Sequence, residues 1–241
     1  MKEKLTIIQN FILNDVKFKH LESNLGLKST ANVIGDCDFI INYKGDDIDK
    51  VITLYKSHIK NITCYNWKQT NTFNWAFTTL KLLDEVKTPY VFYLTEDRLF
   101  HNTNKIEFSE VIDEVVKNDI GWMGITKLWK YSNTIHPDRA KRYGKPPYMD
   151  TNKHIYTYYA KNSPYKCLSI DSIFRVDILR ESLNRLLQNP THLELSNKYR
   201  PHMLEIENKI WFSNELPDMM CAVPKRSIIV SDDDPGYIKI K

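Results

Sequence analysis

The chain has 241 residues, of which 42% are hydrophobic and 27% charged, and its 34 Lys and Arg against 30 Asp and Glu give a formal net charge of +4. This composition is typical of a soluble globular protein with a sizeable core, and the small charge permits an anionic partner without requiring one. No linker rich in Pro, Gly or Ser divides the sequence, so we expect residues 1–241 to form a single domain.

Cysteine spacing and the opening residues exclude further classes of protein. The four cysteines are widely separated, with no Cys-x-x-Cys pair and no neighbouring His at zinc-ligand spacing, so we interpret them as reduced and mostly buried thiols. The apolar run near the start is too short for a signal peptide, and no stretch is long enough for a transmembrane helix. We therefore expect a cytoplasmic protein.

The first part of the chain alternates apolar strands with helical patterns. Strands are predicted over 5–12, 38–43 and 62–67, and helices over 15–25, ended by Gly26, and over 48–59. Strands separated by helices predict an α/β fold whose sheet is mostly parallel and wound by right-handed crossovers. Asn10 and Asn42 then lie near the ends of the first two strands.

The stretch 89–100 opens with the most apolar run of the chain, which predicts a buried strand that stops at two adjacent carboxylates, Glu96 and Asp97. In a parallel sheet, ligands bind just beyond the carboxyl ends of the strands, so these acids are expected to face a crevice. Hard oxygen ligands at such a place suit Mg²⁺ or Mn²⁺, and these cations neutralise nucleotide phosphates. The structural alternative is a strand that ends in a solvated acidic turn.

A helical pattern that starts with a capping Asn, Asn71–Leu83, leads directly into the acidic strand. This order of an Asn-bearing helix start, an amphipathic helix, an apolar strand and terminal acids resembles the GT-A superfamily of nucleotide-sugar glycosyltransferases. Members of that superfamily close this strand on an Asp-x-Asp motif or an acidic triplet. Here the triplet is Thr95-Glu96-Asp97, so Asp97 matches the last acid and Thr95 departs from the first.

The resemblance implies a GT-A-like, Rossmann-like sheet flanked by helices, with a nucleotide-sugar donor half over 1–100 and an acceptor half over 101–241. It implies that Asp97 contacts a divalent cation, Mn²⁺ or Mg²⁺, or the donor diphosphate. Some members carry a late metal ligand, and Asp233, in the acidic run before Pro235, is a candidate to replace it. A solvated acidic tail is the alternative for that run.

The resemblance also places the nucleotide at the ends of the first two strands and at the helix start. Asn10, Asn42 and Asn74 are then expected around the base and the ribose, with turn or capping roles as the alternative. Glu96 and Arg98, beside the metal acid, are further expected donor contacts, with Glu96 holding the ribose or orienting Arg98.

Residues 127–166 interleave tyrosines with basic side chains, among them Arg139, Lys141 and Arg142, and their prolines predict loops and turns. Aromatic faces with interspersed cations suit sugar rings, stacked bases or a phosphate backbone. We expect this segment to bind the acceptor, which is a glycan or protein hydroxyl or, as the polyanionic runner-up, hydroxylated bases in DNA. A packed excursion whose tyrosines cover the sheet edge is the structural alternative.

Two carboxylates in the second half are candidates for catalysis. Asp171 interrupts the apolar pattern of a strand predicted over 167–175, and the resemblance puts it on the acceptor side, where it would hold a sugar or acceptor hydroxyl. Glu207 lies close to the apolar face of a helix predicted to begin at Pro201, and an inward carboxylate has a raised pKa that suits a general base. The structural alternatives are backbone amides for Asp171 and a basic partner for Glu207.

These features predict a glycosyltransferase that moves a sugar from a nucleoside-diphosphate donor to a hydroxyl acceptor, with a metal ion at the leaving diphosphate. If the reaction inverts, Glu207 or Asp171 would remove the acceptor proton, whereas a retaining reaction needs no such base. A nucleotidyltransferase is the enzymatic rival, although the Gly-rich, Lys- or Arg-bearing turn that usually follows its first strand is absent from 9–14. A non-catalytic nucleic-acid-binding module built on 127–166 is the other rival, and strongly salt-dependent DNA binding would favour it.

Overall fold

The computed structural model describes residues 1–12, 25–44, 48–67, 72–95, 98–100, 103–125, 148–162, 171–188 and 218–231. Within these ranges the chain forms ten strands and five α-helices. The strands are β1 Leu5–Ile12, β2 Asp38–Lys44, β3 Asn61–Tyr65, β4 Tyr90–Tyr93, β5 Arg98–Phe100, β6 Ile120–Gly124, β7 Ile155–Tyr159, β8 Ser172–Arg175, β9 Met220–Pro224 and β10 Ile229–Ser231. The helices are α1 Leu25–Ile34, α2 Ile48–Lys56, α3 Thr72–Asp84, α4 Lys105–Lys117 and α5 Val176–Gln188.

Eight strands form one sheet in the order β3-β2-β1-β4-β8-β6-β9-β7, and β10 pairs with β5 in a second, two-stranded sheet. The strands β3, β2, β1 and β4 are parallel to one another. Strand β8 is antiparallel to β4 and β6, β9 is parallel to β6, and β7 is antiparallel to β9. The predicted α/β fold is confirmed, and its parallel part is the run of four strands that helices connect.

Both faces of the sheet are buried under helices. Neighbouring residues of one strand belong to different apolar clusters, as Ile7 and Ile8 do in β1 and Val91 and Phe92 do in β4. One cluster packs against α1, α2 and α4, and the other against α3 and α5. Each fully buried aliphatic or aromatic side chain contributes about 1.5–3 kcal/mol, and two-sided burial explains why these strands read as continuous apolar runs. Among the described helices, none combines the length and the apolar character needed to cross a membrane.

The strands place one edge of the sheet where a ligand would bind. This edge, which we call the carboxyl edge, collects the carboxyl ends of β1 to β4, β6 and β9 with the amino end of β8. Because β8 is antiparallel to both neighbours, Ser172 lies opposite Tyr93 on one side and Gly124 on the other. Asp171 therefore lies at the carboxyl edge, beside the residues that follow β4.

Two sequence-based expectations about local structure are wrong. Gly26, expected to end a helix, is the second residue of α1, because the apolar residues beyond it are buried against the sheet. The buried strand predicted before Glu96 is confirmed as β4, and the residues after the acids form β5, which pairs with β10 outside the main sheet. Asp171, expected inside a strand, precedes β8 with φ 62°, in the left-handed region that Asp tolerates better than most residues.

Candidate active site

The carboxylate of Asp171 lies at the carboxyl edge between β4 and β6, with 10% of its side chain exposed. Its Oδ1 accepts hydrogen bonds from the backbone N–H of Thr95 (2.7 Å) and from the Thr95 hydroxyl (2.8 Å). Its Oδ2 accepts a hydrogen bond from Nε of Arg98 (2.8 Å), and Nη2 of the same guanidinium lies 2.7 Å away. Two residues therefore satisfy both oxygens, and we call Asp171, Thr95 and Arg98 the edge clamp.

The edge clamp fixes both flanks of the acidic pair. Thr95 directly precedes Glu96 and Asp97, and Arg98 directly follows them, so the contacts to Asp171 set where this short segment begins and ends. A two-point contact between a guanidinium and a carboxylate fixes orientation as well as distance. Because the pair is largely buried, removal of the carboxylate would be costly, since it would leave a partly desolvated guanidinium without this partner.

A second set of contacts anchors Arg98 from the other side. Arg98 lies opposite Ser231 in the pair of β5 with β10. The backbone N–H of Phe100 donates to the hydroxyl of Ser29 (3.1 Å), and that hydroxyl donates to the carbonyl of Phe100 (3.2 Å). The ring of Phe100 packs edge-on against Phe108, with the centroids 5.3 Å apart. Strand β5, which follows the acids, thus contacts α1 and α4.

Asn10 and Asn42, two of the predicted nucleotide contacts, belong to a buried network at the ends of β1 and β2. Nδ2 of Asn10 donates to the hydroxyls of Thr78 and Thr79, both at 2.8 Å, and Nδ2 of Asn42 donates to Oδ1 of Asn10 (3.0 Å). The backbone N–H of Trp67 donates to Oδ1 of Asn42 (2.8 Å). This amide network joins β1, β2 and α3 to the chain beyond β3. The contact of Asn10 and Asn42 with a nucleotide stays a prediction.

The edge clamp and the amide network lie on the same edge of the sheet. The hydroxyl of Tyr93, the last residue of β4, donates to the carbonyl oxygen of Asn10 (3.3 Å). Strands β1 and β4 are neighbours, and β8 follows β4 in the sheet. Asn10 and Asn42 therefore lie at the same carboxyl edge as Asp171 and its partner Arg98. Four of the predicted site residues are therefore collected on one side of the sheet.

The remaining predicted site residues are placed in part or not at all. Asn74 lies in the first turn of α3. Outside the described residues lie the acids Glu96, Asp97, Glu207 and Asp233, and also the helix predicted from Pro201. Of the segment 127–166, the part that the structure describes contains strand β7, which pairs with β9, so that portion is a regular element and not a loop.

The donor atoms of the predicted metal ligands fit a hard cation. Carboxylate oxygens, as in Asp97 and Asp233, are what Mg²⁺ and Mn²⁺ prefer. Across the ranges that the structure describes, no three His, Cys, Asp or Glu side chains lie together as possible cation ligands. Asp171 is already bound by the other members of the edge clamp. A bound cation would therefore take ligands from the acids beyond the described ranges.

The described cysteines are free thiols, as the sequence predicts. Cys37 and Cys221 are buried, and Cys64 is partly buried. Burial raises the pKa of Cys37 and of Cys221 to about 12 and the pKa of Cys64 to about 11. All three thiols stay protonated at neutral pH, so they are unsuited to nucleophilic catalysis or to metal binding.

Thr95 is a site residue that the sequence does not flag. Its position reads as a departure from the acidic triplet, yet both its N–H and its hydroxyl bind Asp171. Two features of the sequence could have indicated this contact: Thr95 is a small hydroxyl residue beside two acids, and Asp171 is a single acid just before a later strand. Their pairing across 76 positions of sequence is visible only in three dimensions.

Four parallel strands with helices on both faces, and polar side chains gathered at their carboxyl ends, define an α/β fold in which a ligand would bind at that edge. The chain matches no protein-family model and no curated protein. The structure is similar to the glycosyltransferase TarS 1–349 of S. aureus, with a TM-score of 0.54 and 13% identity over 95% of this chain and 58% of that one. TarS 1–349 has also been crystallised with UDP and with UDP-GlcNAc. This chain thus spans little more than half of the TarS chain.

Two other solved structures extend the comparison. A 4-diphosphocytidyl-2C-methyl-D-erythritol synthase from Anaerococcus prevotii gives a TM-score of 0.50 at 12% identity, over 95% of this chain and 90% of that one. The mannosyltransferase PcManGT from Pyrobaculum calidifontis, in complex with GDP-Man and Mn²⁺, gives 0.44 at 12% identity, over 79% of this chain and 48% of that one. The TM-scores of 0.54 and 0.50 show a similar fold, and the predicted α/β fold is confirmed at that level.

Proposed function

We propose that this protein is a glycosyltransferase that moves a sugar from a nucleoside-diphosphate donor to a glycan, protein or DNA hydroxyl, assisted by a divalent cation. The observation that carries the proposal is the edge clamp, which holds both flanks of Glu96 and Asp97 at the carboxyl edge of a GT-A-like sheet. Solved structures with this fold include TarS with UDP and with UDP-GlcNAc. A firmly held acidic segment at that edge suits a site for a metal ion and a diphosphate.

In this proposal the acids bind the donor and the edge clamp positions the acids. Asp97 contacts the cation, Mn²⁺ or Mg²⁺, or the diphosphate, Asp233 adds a ligand, and Glu96 holds the ribose. When bound, the cation offsets the negative charge that develops on the leaving diphosphate. Asp171 is a positioning residue in this scheme, because its two oxygens are used within the edge clamp.

The nucleoside is proposed to lie on the side of the amide network. Asn10, Asn42 and Asn74 would then be nearest to the base and the ribose. Arg98 contacts Asp171, and 25% of its side chain is exposed. An Arg that is partly open to solvent beside the acids would bind a diphosphate oxygen well, since a guanidinium forms charge-assisted hydrogen bonds.

An inverting reaction would need a base for the acceptor hydroxyl, and we assign that role to Glu207. Glu207→Gln should lower kcat on the order of 100-fold to 10,000-fold, as removal of a general base does. Glu205→Gln, on the opposite side of the predicted helix, is the matched control and should leave kcat near the parent value. Small and equal effects of the two changes would remove Glu207 from the mechanism and favour a retaining reaction.

A thermal-shift series with nucleoside-diphosphate sugars, each with and without Mn²⁺, tests the donor part of the proposal. A ligand at 100 times its Kd stabilises the native state by about 2.7 kcal/mol, which raises Tm by roughly 5–10 °C for a chain of this size. We expect one donor class to give such a shift and to release free nucleoside diphosphate when an acceptor is present. If no donor shifts Tm, the proposal is wrong.

A nucleotidyltransferase is the second candidate, because the fold matches the erythritol synthase over 90% of that enzyme's chain. Such an enzyme would join a nucleoside monophosphate unit to a phosphorylated substrate and release pyrophosphate from a nucleoside triphosphate. The two candidates differ in their product. Pyrophosphate released from a nucleoside triphosphate, without any nucleoside diphosphate released from nucleotide sugars, would replace the first proposal by the second.

A further inference from the structure

A cleft of about 410 Å³ opens between the first half of α4 and the chain around the start of β7 and the end of β9. Its lining includes three cationic side chains, Lys153, Lys225 and Arg226, together with the imidazole of His154. These residues come from two separate segments of the chain. We call this space the basic cleft.

The basic cleft and the candidate active site share one stretch of chain. Strand β9 ends at Pro224, Lys225 and Arg226 follow it, and β10 then pairs with β5 so that Ser231 lies opposite Arg98. In the main sheet β9 lies two strands from β8, and with about 4.8 Å between strands the cleft is roughly 10 Å from the edge clamp. One ligand of modest length can therefore reach both places.

Two of the cations in the cleft form ion pairs with exposed carboxylates. Lys153 pairs with Glu110 (2.7 Å), which also contacts Nε2 of His154 (2.6 Å), and Lys225 pairs with Asp150, donates to the carbonyl of Asn152 and lies over the ring of Tyr156. The two carboxylate side chains are 44% and 61% exposed, and ion pairs in such surroundings contribute little to stability. An incoming anion can therefore replace them at little cost.

The other two charged groups of the lining are Arg226 and Glu107. Arg226 is exposed, and it forms no hydrogen bond or ion pair with any residue that the structure describes. The carboxylate of Glu107 is used in the cap of α4, where it accepts a hydrogen bond from the N–H of Asn104 (3.3 Å). Of the three cations in the lining, Lys153 and Lys225 would exchange a carboxylate partner for an anion, and Arg226 would gain one.

We propose that the basic cleft binds a phosphate group of the acceptor, so that the sugar is transferred to a phosphorylated acceptor. This inference rests on the proposed glycosyltransferase function. Two ammonium groups and a guanidinium around one space form charge-assisted hydrogen bonds with phosphate oxygens. We assign the cleft to the acceptor and not to the donor, because the proposed function already places the donor diphosphate at the acids.

The test is ¹H–¹⁵N correlation spectroscopy of the full chain with three probes, inorganic phosphate, dimethyl phosphate, and UDP with Mg²⁺. Inorganic phosphate represents a phosphate monoester and dimethyl phosphate a diester, so the tighter binder identifies the source of the phosphate. We expect the better phosphate probe to shift the amide signals of Thr103, His154 and Arg226. We expect UDP with Mg²⁺ to shift those of Thr95 and Arg98.

The matched variants are Arg226→Gln and Lys87→Gln. Arg226→Gln should weaken phosphate binding about tenfold or more, as expected for the loss of a charge-assisted hydrogen bond. Lys87 is an equally exposed cation just before β4, at the opposite edge of the sheet, and its variant should bind phosphate as the parent does.

Four outcomes separate the inference from the function on which it rests. Equal phosphate affinities of the two variants, or phosphate shifts confined to Thr95 and Arg98, would overturn the assignment of the basic cleft. Shifts from UDP without any from phosphate would overturn this inference alone. Shifts from phosphate without any from UDP would exclude a uridine donor, and if no nucleotide sugar shifts Tm in the thermal-shift series either, the proposed function and the acceptor role are overturned together and only an anion site in the cleft is confirmed.

Discussion

The edge clamp and the amide network are two buried polar clusters at one edge of the sheet, and they hold different parts of the molecule. The amide network uses neutral groups to join regular elements, β1, β2 and α3. The edge clamp uses a carboxylate and a guanidinium, and it holds the short connection between β4 and β5 that carries the acids. The first cluster therefore serves the fold, and the second serves the geometry of the site.

The amide network and the edge clamp also differ in what they contribute to stability. A neutral hydrogen bond contributes about 1 kcal/mol net, and an amide left unsatisfied in the interior costs about 1–3 kcal/mol. A buried ion pair gains little over an apolar replacement, because desolvation offsets the attraction, yet loss of one partner is strongly destabilising. A charged cluster is thus a poor way to gain stability and an effective way to fix a segment in one place.

The largest expected effect is a loss of kcat, and it distinguishes the role of the acids from that of the edge clamp. Asp97→Asn leaves the clamp intact, so the free energy of unfolding should change little, whereas kcat with the best donor should fall roughly a hundredfold or more. Steady-state kinetics and urea denaturation measure the two quantities. Asp113→Asn, on the exposed face of α4 beside Lys4, is the control and should change neither. Activity within a few-fold of the parent would show that Asp97 is not the main metal or diphosphate contact.

The next largest effect is expected when the edge clamp itself is removed. Asp171→Ala should lower the free energy of unfolding on the order of 3 kcal/mol, because Arg98 loses a largely buried partner. Asp177→Ala, which removes a carboxylate from an exposed pair with Arg175, is the control and should have little effect on stability.

A milder variant of the same residue tests positioning apart from folding. Asp171→Asn tolerates the φ of 62° and should stay folded at 25 °C, yet it should bind UDP with Mn²⁺ more weakly, because the flanks of the acids are held less firmly. Titration calorimetry measures that affinity. An Asp171→Asn protein with the affinity of the parent would contradict a positioning role.

A smaller loss is expected in the amide network. Asn42→Ala leaves the N–H of Trp67 and Oδ1 of Asn10 without their partner, so the free energy of unfolding should fall by about 2 kcal/mol while kcat stays close to the parent value. Asn61→Ala, at an exposed position of β3, is the matched control. A KM for the donor equal to that of the parent would remove Asn42 from the proposed nucleotide contacts and leave it a structural role.

The smallest expected effect comes from one hydroxyl. Thr95→Val keeps the backbone hydrogen bond to Asp171 and removes the side-chain one, so stability should fall by about 1 kcal/mol. Thr95→Ser retains the hydroxyl and should lie between Thr95→Val and the parent in urea denaturation. A loss from Thr95→Val larger than that from Asp171→Ala would mean that Thr95 has a role outside the edge clamp.

The fold was largely predictable where burial leaves a pattern in the sequence. Strand β1 has the predicted bounds, 5–12, because two-sided burial gives a run of mostly apolar residues. The direction of β8 was not predictable, because a single strand reads alike in either direction and its neighbours β4 and β6 lie far away in sequence. Local patterns thus determine the elements, and long-range pairing determines how they are arranged.

The same distinction between local patterns and long-range contacts applies to the candidate site. The position of Asn10 and Arg98 near strand ends follows from the order of elements, since parallel strands deliver their last residues to one edge. The bonding of Asp171 does not follow from it, because an interruption in an apolar run fits a hydroxyl contact, a base or a clamp equally well. Only the placement of Thr95 beside Asp171 distinguishes these roles.

The pairing of β5 with β10 bears on when the protein becomes competent during its synthesis. Phe100 pairs with Ile229, and at about 5–20 residues per second the ribosome needs roughly 10 s to make the segment between them. The four parallel strands can associate in that interval, whereas the strand that carries Arg98 still lacks its partner. Contacts so distant in sequence also form slowly, because the entropy of closing the loop is lost before the pairing compensates for it. A nascent chain that has not reached residue 229 can therefore build the parallel sheet before the acids are anchored.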